Sequence, residues 1–279
     1  MRLAIAVLVA MTAVAAAKPA RWQRLPLPPA MPKPAAKGFV EIDGAKIYYA
    51  TFGSGSPVVL LHGGMGNGDH WANQVPALAE KLQVVVIDSR GQGRSTRTKA
   101  APSYDVMAAD VLAVMDHLKL EKASIVGWSD GGEIGLKLAI HHPDRVVKLF
   151  IFGANYDAKG SKPRAGKSFP TFDGYAAKCR ADFKRLSGTP KQFDALVQWL
   201  LPIWRNPMGF TQDELKSIKA PTIVADGDHD EIIVLSQIEE MAKLIPNGRL
   251  EVFKDTSHFA LWQDPATFTK VVVDFLTAP

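Results

Sequence analysis

The chain has 279 residues, 47% of them hydrophobic and 22% charged, which excludes a chain disordered overall and suits one large core rather than two independent domains. Its formal charge of +5 is spread along the chain, with no basic helix and no aromatic-basic repeat, so no nucleic-acid partner is expected. The lone cysteine, Cys179, excludes an intramolecular disulfide and, lacking an adjacent histidine, reads as a bystander thiol.

Met1 and Arg2 give a short positive start, residues 3–14 form an apolar run, and Ala15, Ala16 and Ala17 are small enough for a signal peptidase. A signal peptide over residues 1–17, cleaved after Ala17, is therefore expected, and with it a periplasmic or secreted protein. The run is too short and too alanine-rich for a membrane span, so no stable insertion is expected after cleavage. Residues 18–37 are rich in proline and alanine and read as a tether, or as an arm laid over the surface.

From residue 38 the pattern changes to α/β. Residues 38–43 alternate apolar and polar, Asp43-Gly44 marks a hairpin, and residues 46–50 return. Residues 57–61 are a continuous apolar run that delivers the loop His62-Gly63-Gly64-Met65-Gly66. Residues 71–82 read as a helix, 84–88 as a second buried strand and 104–118 as a helix. Residues 123–126 form a strand, followed by Gly127-Trp128-Ser129-Asp130-Gly131 and helical spacing over 132–140. Another strand falls at 146–152. The rhythm then breaks over residues 155–219, where 175–186 and 192–204 read as amphipathic helices of an inserted cap. Strands at 221–226 and 249–253, with helices at 236–244 and 265–276, complete the chain. The alternation predicts a mainly parallel, eight-stranded sheet with helices on both faces, built from residues 38–154 and 220–279.

The Gly-x-Ser-x-Gly turn between a buried strand and a helix forces its serine into strained backbone and lifts the hydroxyl clear of the sheet. A serine hydroxyl needs a base, and the base needs a carboxylate to hold its tautomer. In such a fold these come later in the chain, acid first. His258, between the last strand and last helix, is the base. The acid lies among Asp226, Asp228 and Asp230; Asp230 is favoured because Asp226 belongs to the strand end and Asp228 suits a turn. A tetrahedral intermediate needs two amide donors. Asp130 supplies one, and the glycine loop the other, from Gly64 first and Met65 second. His62 reads as a loop-shaping residue, and the remaining histidines as surface or local structural ones. The glycine loop lacks the lysine and hydroxyl of a phosphate loop, Gly91-Gln92-Gly93 lacks the third glycine of a dinucleotide fingerprint, and the aspartate cluster lacks calcium-loop spacing. No metal or organic cofactor is needed.

These segments together resemble the α/β-hydrolase fold family from about residue 38 to the C-terminus. The resemblance rests on Val59-Leu60-Leu61-His62-Gly63-Gly64, on residues 88–95, on Gly127-Trp128-Ser129-Asp130-Gly131-Gly132 and on Gly227-Asp228-His229-Asp230. It implies that Asp230 is the acid, because the family's acid commonly stands three residues after that glycine, and that Arg90 and Ser95 are structural. The elbow is similar to that of valacyclovir hydrolase-like esterases, and the wider pattern also resembles peroxidase-type and lactone-cleaving members. Ser129 argues against epoxide hydrolases and dehalogenases, whose nucleophile is an aspartate. The expected reaction is hydrolysis of small to medium carboxylic esters through an acyl-enzyme, with lactonase, amidase or perhydrolase chemistry as alternatives on the same triad and a non-catalytic binding protein as the remaining one. Aromatic and apolar residues of the cap, namely Tyr156, Phe169, Phe172, Trp199, Trp204, Met208 and Phe210, supply candidates for the pocket. Met65, Trp128, Trp204 and Phe259 are the expected substrate contacts.

Overall fold

The computed structural model describes residues 18–163, 169–205 and 209–279. The signal-peptide expectation for residues 1–17, and Met208, lie outside them.

Eight strands form one sheet: β1 (Ala36–Ile42), β2 (Ala45–Phe52), β3 (Ser56–Leu61), β4 (Leu82–Ile87), β5 (Ala123–Trp128), β6 (Val146–Phe152), β7 (Thr222–Gly227) and β8 (Gly248–Phe253). Their order is β1-β2-β4-β3-β5-β6-β7-β8. The first hairpin is antiparallel and β2 runs antiparallel to β4, whereas every later pairing is parallel. Covered on both faces, β3, β4 and β5 are apolar runs that end fully buried, as a helix-sandwiched parallel sheet requires. Each fully buried Val, Leu or Ile there contributes about 1.5–3 kcal/mol. The sheet begins before residue 38, because Ala36 and Lys37 already pair with Thr51 and Ala50.

The helices are α1 (Val75–Ala79), α2 (Tyr104–His117), α3 (Asp130–His141), α4 (Pro170–Leu186), α5 (Phe193–Arg205), α6 (Gln212–Lys216), α7 (Leu235–Leu244), α8 (Ala260–Gln263) and α9 (Pro265–Thr277). The helix expected over 71–82 is broken. Trp71 closes a short 3₁₀ turn, and α1 begins at Val75 with Pro76 in its first turn, where a missing N–H is tolerated. None of the described helices is long and apolar enough to cross a membrane.

Helices α4 and α5 form the cap, while α6 packs against α3 and α7 and so belongs with the sheet. The cap is fastened by buried polar contacts as well as by apolar ones. Asp182 of α4 accepts from Asn67 at 3.3 Å, lies 3.2 Å from His70 Nε2 and pairs with Lys178 at 2.5 Å. Residues 18–35 are an arm rather than a tether. Arg21 donates to Asp264 and to the carbonyl of Lys254, and Gln263 donates to the carbonyls of Trp22 and Arg24. Arg90 forms a buried bidentate pair with Asp110, at 2.8 and 2.5 Å, and Ser95 donates to the carbonyl of Asp88 while accepting from Tyr48 N–H. Both residues therefore brace the loop after β4.

Candidate active site

Strand β5 runs into Ser129, which adopts φ 53° and ψ −124° before α3 begins at Asp130. That is a left-handed conformation for a residue with a side chain, held because its surroundings over-determine it. The two flanking glycines have a steric cause. A Cβ on Gly127 would lie 2.2 Å from the carbonyl oxygen of Gly131, and one on Gly131 would lie 2.1 Å from that of Leu61. The turn is closed by Ser129 N–H donating to Phe152 O at 2.8 Å.

The loops after β7 and β8 bring the other two residues together. His258 Nδ1 lies 2.6 Å from Asp230 Oδ2, with both side chains buried. Asp230 Oδ1 accepts from the backbone N–H groups of Ile232 and Ile233 at 2.5 and 2.7 Å, which leaves Oδ2 to the histidine. The neighbouring aspartates have other partners, and Asp226 lies against Asp230 itself. Asp226 turns back on Gly227 N–H, and Asp228 accepts from Thr256 N–H and faces His229. Burial pushes the Asp230 carboxyl up, but the charge and hydrogen bond of His258 outweigh it and leave its pKa lowered. Burial likewise disfavours the imidazolium of His258, yet Asp230 opposite it, with Glu231 and Asp130 nearby, leaves the histidine pKa raised above 6.5. His258 must be neutral to take a proton. A role as base therefore predicts that kcat/KM for a neutral ester, whose own state does not change, falls as the pH drops through the histidine's pKa, above 6.5. An inflection below that value would show that Asp230 does not set the histidine's charge.

Ser129 and His258 line one cavity of about 470 Å³, together with Gly63, Gly64, Met65 and Asp130. The glycine loop is arranged around His62. This histidine is buried and its pKa is pushed down to about 3, chiefly by burial, so it is neutral. Its Nε2 accepts from Ser89 N–H at 3.0 Å, which assigns the proton to Nδ1, and Nδ1–H donates to Gly63 O at 2.8 Å. Gly66 N–H donates to the same carbonyl. In a trans peptide N–H and C=O point in opposite directions, so holding Gly63 O back turns Gly64 N–H the other way. Gly64 has no room for a side chain, since a Cβ would lie 2.7 Å from Asp130 Oδ2 and 2.8 Å from the Trp204 ring.

The expected substrate contacts divide. Met65, Trp128 and Trp204 line the cavity, but Trp128 also donates its indole N–H to His258 O at 3.0 Å and so props the loop after β8. Phe259 is a correction. It is fully buried behind the cavity wall, packed on Trp128, Tyr175 and Trp262, because the turn into α8 points it inward. Of the other cap aromatics, Phe172 lines the cavity, whereas Tyr156 donates to Glu240 and Trp199 to Ala100 O.

Three lining residues, Tyr104, Glu133 and Lys162, have no counterpart in the sequence reading, and the first two surround the carboxylate of Asp130. Trp204 Nε1 donates to both Asp130 carboxylate oxygens at 3.1 Å, and the Tyr104 hydroxyl donates to Oδ1 at 3.2 Å. Burial raises Asp130 to about 6, and burial together with the Asp130 charge raises Glu133 to about 8. Near neutral pH the pair thus comprises one carboxylate and one carboxylic acid. The helical spacing of Glu133, one turn beyond Ser129, was the available signal for it. Lys162 also lines the cavity and is tied to Asp230 O at 2.5 Å. A second depression, of about 480 Å³, lies between the arm and β2; of its charges, Arg94, Lys178 and Arg185 pair with Asp69 and Asp182, and Lys37 stands beside them.

Comparison with known proteins agrees with this geometry. A family described as alpha/beta hydrolase fold matches residues 56–193 and 184–265. A non-heme haloperoxidase of Rhodococcus erythropolis is 30% identical over 251 residues, covering 77% of this chain and 90% of that protein. The 2-hydroxymuconate semialdehyde hydrolase of Pseudomonas sp. (strain CF600) is 29% identical over 258 residues, with 80% and 88% covered. Among solved structures, Est816, described as an N-acyl homoserine lactone degrading enzyme, superposes with a TM-score of 0.68 at 32% identity, covering 85% of this chain and all of that one.

Proposed function

The chain belongs to the α/β-hydrolase fold family, and on that premise we propose that it is a serine hydrolase cleaving carboxylic esters of small to medium molecules through an acyl-enzyme. The observation that carries the reading is the 2.6 Å Asp230–His258 contact, on a histidine that shares its cavity with the strained Ser129. His258 takes the Ser129 proton as Oγ attacks the ester carbonyl, and the developing oxyanion is met by the N–H of Asp130 and of Gly64. Collapse expels the alcohol, to which His258 returns the proton. Water, deprotonated by the same histidine, then attacks the acyl-enzyme, and its collapse frees the acid and restores Ser129.

The pocket supports a narrower substrate class. Phe172, Val197, Leu201, Ile203 and Ile232 give it an apolar side. Asp130 and Glu133 give it an acidic end. An amine or other donor on the substrate meets a complementary group there, whereas a carboxylate meets a like charge. The similarity to a lactone-degrading enzyme favours a second reading, ring opening of a lactone by the same triad.

The test is hydrolysis by the full chain of nitrophenyl esters from acetate to long acyl chains, with an amine-bearing and a carboxylate-bearing ester matched in length and an acyl lactone alongside. Turnover of the apolar and amine-bearing esters in preference to the carboxylate-bearing one is expected. No turnover and no labelling by a serine-directed phosphonate would reject the serine-hydrolase reading, and preference for the lactone would move the assignment to the second one.

A further inference from the structure

The glycine loop is held from two sides. The core holds the Gly63–Gly64 peptide through His62 and Gly66, as described above. The next peptide, Gly64–Met65, is held by the cap. Tyr175 on α4 donates its hydroxyl to Gly64 O at 2.8 Å, with a longer 3.4 Å approach to Gly63 O. Met65 adopts φ 65°, a left-handed conformation sparsely populated by residues with a side chain, which persists only where neighbours enforce it. The Tyr175 ring is fixed by packing at 5.3 Å from Trp128, 5.2 Å from Phe259 and 5.7 Å from His70, measured between ring centroids. Burial holds the phenol well above its ordinary pKa, so it keeps the proton it donates.

We propose that Tyr175 is a positioning residue of the oxyanion hole, whose hydroxyl, carried by the cap, fixes the Gly64–Met65 peptide and with it the amides that the glycine loop presents to the reacting carbonyl. The physical reason is again the opposition of C=O and N–H across a trans peptide. With both carbonyls drawn toward Tyr175 and His62, the N–H groups of Gly64 and Met65 are turned to the opposite side of the loop. Successive N–H groups of this kind form an anion-binding concavity. The cap therefore completes the catalytic machinery as well as walling the pocket, and turnover depends on how α4 is seated. This inference rests on the serine-hydrolase reading.

The experiment compares the full chain with Tyr175→Phe, which removes one oxygen and keeps the ring packing. Deleting an oxyanion donor outright costs about 10²- to 10³-fold, and misaligning one is expected to lower kcat by about 10-fold with KM unchanged. Affinity for an alkyl boronic acid, whose tetrahedral serine adduct places an oxygen in the hole, is expected to fall by the same factor. Inhibition by the alcohol product, nitrophenol, which places no oxygen in the hole, is expected to stay as in the wild type. Tyr175→Met also removes the hydroxyl while keeping an apolar side chain of similar reach, and a parallel loss of kcat and boronate affinity is expected there too, which keeps the test open if Tyr175→Phe does not fold. Wild-type kcat and boronate affinity in either variant would overturn the proposal. So would an equal fall in boronate and nitrophenol affinity, which marks a loosened pocket. A wild-type chain that neither turns over nor takes a phosphonate label would instead reject the serine-hydrolase reading beneath it.

Discussion

Ser129→Ala is expected to lower kcat/KM for a nitrophenyl ester by about 10⁴- to 10⁶-fold while leaving the melting temperature unchanged. The size follows from the role, since without Oγ there is no acyl-enzyme and only the amides and binding remain to help water attack directly. The unchanged stability follows from the backbone. Ser129 sits at φ 53°, and alanine keeps the same Cβ, so the variant bears the same strain. The elbow is held by backbone bonds from Ser129 N–H to Phe152 and from Gly132 and Glu133 to Ser129 O, none of which involves the hydroxyl. Activity and phosphonate labelling should vanish together in an alanine variant that melts normally. A variant retaining more than about a tenth of wild-type turnover would place the nucleophile elsewhere.

Asp230→Asn is expected to cost about 10⁴-fold in kcat with the fold retained. The carboxylate has two separate duties. Oδ1 takes the N–H groups of Ile232 and Ile233, a task that the amide oxygen of asparagine still performs. That arrangement directs the amide NH₂ at His258 Nδ1, which Oδ2 faces in the native chain. Two donors cannot face each other, so the imidazole shifts its proton to Nε2 and loses the lone pair that takes the Ser129 proton. The charge that holds the histidine pKa above 6.5 is lost as well. Steady-state rates across pH check both effects. Near-native kcat in Asp230→Asn would return Asp226 or Asp228 to candidacy, and Asp226→Asn and Asp228→Asn are the variants to measure beside it.

The parts of this chain legible without coordinates are those whose cause is local. A continuous apolar run between turn residues has to be a buried strand, and a glycine on each side of a strand-to-helix serine is demanded by backbone atoms only a few residues or one neighbouring strand away. Hence β3, β5 and the elbow were readable, and so was the order of serine, aspartate and histidine on which the proposed triad rests. The broken helix near residue 71 was less so, because Pro76 permits either a start or a stop.

What depended on the tertiary structure is whatever joins distant segments. The choice of Asp230 over Asp226 and Asp228 rests on which carboxylate the β7 loop turns toward a histidine 28 residues later. The inward packing of Phe259, the carboxyl pair of Asp130 and Glu133, and the reach of Tyr175 from the cap to Gly64 have the same origin. Spacing along a chain specifies which face of a strand or helix a side chain occupies. Which group lies opposite, and how far burial shifts its charge, is set only when separate elements pack and exclude water. The sequence by itself thus determined the sheet, the elbow and the residue types of the chemistry, and the packing of cap on sheet decided their partners and the shape and charge of the pocket.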